Sequence, residues 1–288
     1  MQRTLQARSE IEQVDVTATR PFNWAAAARS TATAWDLLIA VTARNMKVRY
    51  QGTVLSYVWW IARPLALGLV LYFALGRVLR LDIEGSDSYV ENYGVFLLAG
   101  LFPWFWFSSA IQQATSSFVA NGGLLKKVRF SRLILPLSAV FFNTIQFLLT
   151  LPILVIFVYF AGIDPKIAWI VGIPMLLILQ TLLLVGLGTL FASLNVFFRD
   201  LGPLLDVVLL LMFYTSAVIF PRERVPEAFQ PIVKLSPITT LVEGWRKVFL
   251  EGSLPGMELW PAMVGTAVTL VIGLAAFRAL ERYFADAL

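Results

Sequence analysis

Apolar residues in this chain gather into six long runs parted by shorter polar stretches. The runs cover roughly 54–79, 93–119, 133–161, 167–194, 203–220 and 259–280. A helix that crosses a bilayer needs about 20 apolar residues, so the pattern predicts six transmembrane helices. Ahead of the first run, Trp35, Leu38, Ile39 and Thr42 recur at three- and four-residue steps, and Arg44, Lys47 and Arg49 follow. That spacing predicts an amphipathic helix over 34–50, lying at the membrane interface. The stretch 221–258 is different. Pro221, Pro226, Pro231, Pro237 and Pro255 interrupt it, and only short helices fit between prolines. Its two apolar pieces, Phe229 to Leu235 and Ile238 to Leu250, are too short to cross, and are expected either to re-enter the membrane or to lie on its outer surface. The predicted fold class is an all-α membrane protein with six transmembrane helices, an N-terminal amphipathic interface helix and two short re-entrant or periplasmic helices before the last span. Two segments are expected: a polar tail over 1–33, and a transmembrane domain over 34–288.

Charge then orients the runs. Seven Lys/Arg precede the first run, and four basic residues with no acid (Lys126, Lys127, Arg129, Arg132) fill the segment after the second. The segment after the first run carries Asp82, Glu84, Asp87 and Glu91 against Arg80. Basic excess alternates with the loops, which places both termini in the cytoplasm. Composition agrees with the membrane reading: 58% of the 288 residues are hydrophobic and 14% charged, where soluble domains are nearer a quarter charged.

The chemistry that is missing narrows the function. There is no His and no Cys, which removes thiolate metal sites, cysteine nucleophiles and the commonest general base. Ion-coupled pumps carry titratable groups at membrane depth, and the run centres here hold almost none. No G-x-x-x-x-G-K-[ST] phosphate loop occurs, so ATP is not bound here in the P-loop manner. Energy for transport is therefore expected from a partner. A passive channel or secondary carrier would want buried ion-binding carboxylates. A membrane glycan-processing enzyme would want clustered acids in a site. Buried ion-binding carboxylates are lacking, and the one acidic cluster, Asp82, Glu84, Asp87 and Glu91, reads as a polar outer loop. No basic face with interleaved aromatics suggests nucleic acid.

What remains are candidates for contact with a cargo or partner. Trp59, Trp60, Phe102, Trp104, Phe105, Trp106 and Phe107 cluster near run ends, and read either as an interface belt or as stacking faces for sugar rings. Phe213 and Tyr214 lie deeper. Arg63 and Asp206 are charges within runs, and a contact between them is conceivable. Gly186, Gly188 and Ala192 form a small-residue face suited to close helix packing. After Gly122 and Gly123, the residues Leu124, Leu125 and Val128 repeat at helical spacing beside Lys126, Lys127 and Arg129. They suit a short cytosolic docking helix, although positive-inside anchoring also explains the charges.

These residues resemble a family. The stretch Phe197-Phe198-Arg199-Asp200-Leu201-Gly202-Pro203, the run from Pro221 through Ser236-Pro237-Ile238-Thr239 to Glu243-Gly244-Trp245-Arg246, and Lys47 through Trp60 with Arg63-Pro64 are similar to the transmembrane subunit of type-2 ABC exporters. The likeness is strongest to the polysaccharide-exporting permeases of O-antigen and teichoic-acid systems, and it covers the chain from about Trp35 onward. The resemblance implies a transport subunit, not an enzyme, that moves a lipid-linked glycan and works as a homodimer with two copies of a separate ATPase. It implies no cofactor in this chain, with ATP and magnesium held by the partner. It implies an ATPase-docking loop at Leu124, Leu125, Lys126, Lys127 and Arg129, and channel lining from Trp59, Trp60, Phe213 and Tyr214. Teichoic-acid, capsule and small-molecule exporters of the same superfamily remain the alternatives.

Overall fold

A computed structural model of the chain describes residues 35–47, 55–78, 93–123 and 131–284. The chain divides into two units, Met1–Asp36 and Leu37–Leu288. Of the first, only the two residues that open a helix are described. The proposed docking residues Leu124, Leu125, Lys126, Lys127 and Arg129, and the acidic segment from Asp82 to Glu91, lie outside the described residues.

The described part is helical, with no strand among its residues. Helix α1 covers 35–47. Helix α2 is Leu55–Leu71 and continues as a π-helix over Tyr72–Val78. Then come α3 (Tyr93–Ala120), α4 (Ile134–Phe160), α5 (Ala168–Asn195), α6 (Leu201–Thr215), α7 (Gln230–Leu235), α8 (Pro237–Arg246) and α9 (Trp260–Leu280). Among the described residues, four helices are long and apolar enough to cross a membrane: α3, α4, α5 and the Met257–Tyr283 stretch that contains α9. Two shorter apolar helical stretches, Ile61–Leu75 and Leu201–Thr215, complete the set. The apolar runs thus mark helix positions to within a residue or two, with one exception. The fifth helix stops at Thr215 instead of 220, for a reason that emerges below.

Helix α3 is the centre of the bundle. Within its most apolar window 78% of residues are buried, against 17% for Met257–Tyr283 at the edge. It packs on α4, α5, α2, α6 and α8. Helices α5 and α9 make the most extensive pairing in the molecule. A Cβ on Gly186 would stand 2.6 Å from the backbone of Thr269 and Leu270, and one on Gly273 would run into the Gly186 carbonyl oxygen. Glycine at both positions lets the two backbones touch, the small-residue packing that stands in for hydrophobic association in lipid. Gly188 turns the other way, toward Ala114 and Val140. The small residues predicted to share one face therefore divide between two, Gly186 toward α9 and Gly188 toward α3 and α4, and both pack within the protomer.

Prolines open the short helices. Pro231 and Pro237 occupy the first turns of α7 and α8, where a missing N–H costs nothing. Eight of the ten residues of α8 are buried, and the helix packs against α3, α5 and α9. A π-helical turn, Lys247–Glu251, continues it and ends at Gly252 with φ +62°. Trp245 is fully buried. Its ring lies 5.8 Å from Phe249 and meets Phe147 edge-on at 5.2 Å, while Phe147 stacks on Trp106 at 4.4 Å. Its Nε1 donates to Gln180 Oε1 (2.8 Å), and Gln180 Nε2 donates to the Pro103 carbonyl (3.0 Å). One aromatic and amide cluster thus joins α3, α4, α5 and α8. Helix α8 is an interior element of the bundle.

Candidate functional site

Helix α6 has one buried stripe, Leu205, Leu209 and Phe213, at four-residue steps. The stripe faces the bundle: Phe213 packs 5.8 Å from Trp104 of α3. Toward the other end of the same contact, Gln112 Nε2 of α3 donates to Asp206 Oδ1 (3.0 Å). The two helices therefore run antiparallel along a seam. Trp104 and Phe213 mark one end, and Gln112 and Asp206 the other.

The α3 side of the seam is polar over its second half. Ser108, Gln112 and Ser116 follow one another at four-residue steps, so they share one helix face. Gln112 and Ser116 are exposed and Ser108 is half-buried. The serine hydroxyls donate to carbonyls of their own helix. With the serine hydroxyls paired to their own helix and Gln112 to Asp206, this face suits water or another protein surface better than acyl chains, where polar groups lose their hydration. The sequence reading passed over this stripe. Its signal was present, as three polar residues four apart within an apolar run, but the aromatic clusters drew the attention.

Toward Tyr93 the seam turns aromatic. Tyr214 is exposed and meets Phe213 edge-on at 5.2 Å. It also lines a cavity of about 580 Å³ with Tyr93, Arg224, Pro226, Phe229 and Ile232. The seam thus grades from neutral hydrogen-bonding groups with one carboxylate to apolar ring faces with tyrosine hydroxyls. Those are the two surfaces a carbohydrate offers partners for: hydroxyls at its edges and C–H faces on its rings.

The other sequence candidates fall as follows. Trp59 is exposed on α2, and Trp60 lies on the same helix with its side chain outside the described ones. Phe213 is buried, so Tyr214 is the ring presented at the surface. Arg63 is exposed on α2. Asp206 is bonded to Gln112, and the ion pairs found among the described residues, Arg222–Glu243 and Lys247–Glu258, do not join it to Arg63. Phe102, Trp104, Trp106 and Phe107 are each buried in the protomer core. In this chain they form neither a belt facing lipid nor an open track.

Beside the cavity lies the most elaborate polar contact of the fold. Arg246, at the end of α8, is 5% exposed. Its Nε donates to the Phe96 carbonyl (3.2 Å), Nη1 to the Ala217 carbonyl (2.7 Å) and Nη2 to the Val218 carbonyl. The guanidinium also covers the Phe96 ring, 3.6 Å from its centre. Gly100 of α3 makes room for it, since a Cβ there would collide with the guanidinium. This contact explains the early end of α6. After Ser216 the chain turns through Ala217 at φ +55°, a left-handed conformation that costs a non-glycine residue of order 1 kcal/mol. The carbonyls this turn frees point at a buried cation. The last turn of α6 is also the negative end of its dipole, where a cation is favoured. Tyr93 Oη donates to the next carbonyl, Ile219 (3.0 Å). The apolar run continues to Phe220, but the helix gives way where an arginine 29 residues downstream in sequence captures its carbonyls. The sequence reading singled out Arg246 only as part of a motif, because nothing local to 217–220 announces a distant donor.

Comparison with known proteins assigns this architecture. Residues 36–250 match the ABC-2 type transporter family. The chain is 36% identical over 255 residues to the O-antigen export system permease protein RfbA of Klebsiella pneumoniae, covering 88% of this chain and 95% of the relative. It is 31% identical over 258 residues to the O-antigen export system permease protein RfbA of Myxococcus xanthus, again with 88% and 95% coverage. It is 26% identical over 243 residues to the polysialic acid transport protein KpsM of Escherichia coli, with 84% and 92% coverage. With the match spanning α1 to the turn after α8, and relatives aligned over nearly their whole length, the chain belongs to the ABC-2 type transporter family.

Proposed function

We propose that this chain is the membrane permease of a polysaccharide exporter, carrying a lipid-linked, O-antigen-like glycan out of the cytoplasm. The observation that carries the reading is the identity to O-antigen export permeases over 95% of their length. A capsule polysaccharide export inner-membrane protein of Neisseria meningitidis, CtrC, is 25% identical over 249 residues and makes capsule polysaccharide the second reading.

In this reading α2, α3, α4, α5, α6 and α9 cross the inner membrane, with both termini in the cytoplasm. The charge alternation of the loops supports that orientation. Helices α7 and α8 re-enter from the outer side, and the burial of α8 among α3, α5 and α9 supports this. Irregular backbone at membrane depth is tolerated where protein encloses it. A second copy of the chain faces the exposed apolar sides of α2 and α6, among them Leu69, Phe73, Leu204 and Leu211, and closes a path along the seam. Hydrolysis of ATP takes place in two copies of a separate subunit. Residues 124–129, basic and apolar by turns, dock there. ATP and magnesium belong to that subunit, and this chain acts as a transport component rather than an enzyme.

The path works by weak, repeated contact. Neutral groups such as Gln112 and Ser108 exchange hydrogen bonds with sugar hydroxyls, and Tyr214 offers a ring face farther along. No single strong site holds the chain, so the polymer can slide.

The test is ATP-dependent glycan export in cells lacking their own permease, supplied with this chain and its ATPase. Surface glycan should appear, and a Gln112→Leu/Asp206→Leu variant should lower it severalfold while the permease still inserts. Export of small drugs with no surface glycan would refute the cargo assignment. Full export by the double variant would take the seam out of the path.

A further inference from the structure

The polar stripe of α3 ends beside a crevice of about 470 Å³ between α1, α3 and α4. Arg44 and Asn45 of α1, Gln113 and Ser117 of α3, Asn121 just beyond it and Ser138 of α4 contribute its polar lining. Among the described residues of that lining, Arg44 carries the charge and none is a carboxylate.

Three observations point to a ligand with anionic oxygens. First, Arg44 is held in place by a neutral group. Its Nη2 donates to Asn121 Oδ1 (2.9 Å), and Asn121 Nδ2 in turn donates to the Ser117 carbonyl (2.9 Å). The fork of the guanidinium is thus positioned while its positive charge stays uncompensated by this contact, and a guanidinium has five donors. Second, Ser117 is 6% exposed, lines the crevice, and its hydroxyl has no hydrogen-bond partner among the described residues. A buried hydroxyl without a partner costs about 1–3 kcal/mol, a cost that an acceptor placed in the crevice removes. Third, the crevice lies at the ends of two helices long enough to cross a membrane, beside Ala120 at the end of α3 and the start of α4 at Ile134. In a bilayer crossed by these helices, such ends stand at the depth of lipid headgroups. Leu135 and Ala139 add an apolar wall, suited to the carbon atoms that follow a headgroup into the bilayer. Helix α1 runs alongside with Leu38, Val41 and Thr42 buried, so it rests on the bundle by one face.

We propose that this crevice binds the phosphate of an anionic phospholipid headgroup, with Arg44 gripping the phosphate oxygens and Ser117 donating its hydroxyl. Arginine suits the role because its planar fork meets two phosphate oxygens at once. The bound lipid pins α1 against α3 and α4. The inference does not depend on what the protein exports.

The experiment uses the full chain in nanodiscs of phosphatidylcholine and phosphatidylglycerol in equal amounts. The protein is released into mild detergent, and retained lipids are counted by native mass spectrometry. The wild type should retain phosphatidylglycerol in preference to phosphatidylcholine. Arg44→Ala should lower that preference about fivefold, corresponding to about 1 kcal/mol for one basic residue at an anionic surface. Ser117→Ala should lower it in the same direction, and Arg44→Lys should fall between wild type and Arg44→Ala. Arg278→Ala, an exposed basic residue outside the crevice, should leave it unchanged. Should Arg44→Ala fail to insert, Arg44→Lys and Ser117→Ala decide the matter. Absence of preference in the wild type overturns the proposal, as does an equal fall in Arg278→Ala, which would mean general surface attraction. Displacement of the retained lipid by millimolar inorganic phosphate would show a soluble-anion site and overturn the lipid assignment. No readout involves transport, so this proposal and the export reading fail separately.

Discussion

Replacing Arg246 by Met removes the donor that closes the turn after α6 while keeping an unbranched side chain in the space. The loss can be sized from the contacts. Three carbonyls, of Phe96, Ala217 and Val218, lose a charged donor. Within membranes such hydrogen bonds contribute about 0.6 kcal/mol each on average, and those to charged groups reach about 1.5 or more. Three of them give about 2–4.5 kcal/mol. The guanidinium over the Phe96 ring adds about 1 kcal/mol. A loss of about 3–5 kcal/mol is expected, or a fall in melting temperature on the order of 10 °C for a chain of this size. The assay is thermal unfolding of the purified permease in mild detergent, followed by loss of the monodisperse peak on size exclusion. Arg222→Met is the comparison. Arg222 pairs with Glu243 at 2.9 Å, but both side chains are more than a quarter exposed, and such pairs contribute at most about 1 kcal/mol. Arg246→Lys keeps the charge but reaches fewer carbonyls, and should fall between the two. If Arg246→Met melts with Arg222→Met, the idea that this side chain holds the end of α6 is wrong.

Two other substitutions test separate parts of the structure. Gly273→Ala forces a Cβ into the Gly186 carbonyl and should destabilise by about 1–3 kcal/mol through overpacking, whereas Gly202→Ala, with open space around it, should be neutral or slightly stabilising in the same thermal assay; equal effects would mean that α5 and α9 are not in backbone contact. Reversing the charge of Lys126, Lys127 and Arg129 to Glu should weaken co-purification with the ATPase while insertion continues, and unchanged co-purification with normal ATPase stimulation would remove the docking role.

Helix positions were legible because lipid leaves no alternative. Backbone polar groups must be paired within a segment, so an apolar run of membrane length becomes a helix, and α3, α4, α5 and α9 begin and end within a residue or two of their runs. The close packing of α5 was legible because small residues such as Gly188 and Ala192, four apart, let helices approach, but not that Gly186 and Gly188 would serve opposite faces. Direction was harder to read. Trp104, Trp106 and Phe107 have the composition of an interface belt, but an aromatic ring is equally at home in a core, and the period of the second run is apolar on nearly every face. Long-range pairing was not legible at all. Asp206 sits on the first turns of α6 and finds Gln112, 94 positions away. Arg246 finds three carbonyls on two other segments. Hydropathy sums over neighbours in sequence, and these contacts join residues that the sum never compares.

The early stop of α6 has a consequence for insulation. Fifteen residues rise about 22 Å at 1.5 Å each, against about 30 Å of hydrocarbon. In the proposed topology, where α6 crosses the bilayer, its helical part falls about 8 Å short of that thickness. A hydrated polymer passing beside it in the proposed exporter would shed its water over a shorter distance, which would lower the dielectric barrier to its movement. The same shortness would invite small ions to leak. Helix α8 is buried on most of its surface and fastened to the end of α6 by one arginine, so in the proposed exporter it would stand where a gasket is needed. On that reading the shortened helix and the interior helix would act together, one easing the passage of a large chain and the other keeping it electrically tight.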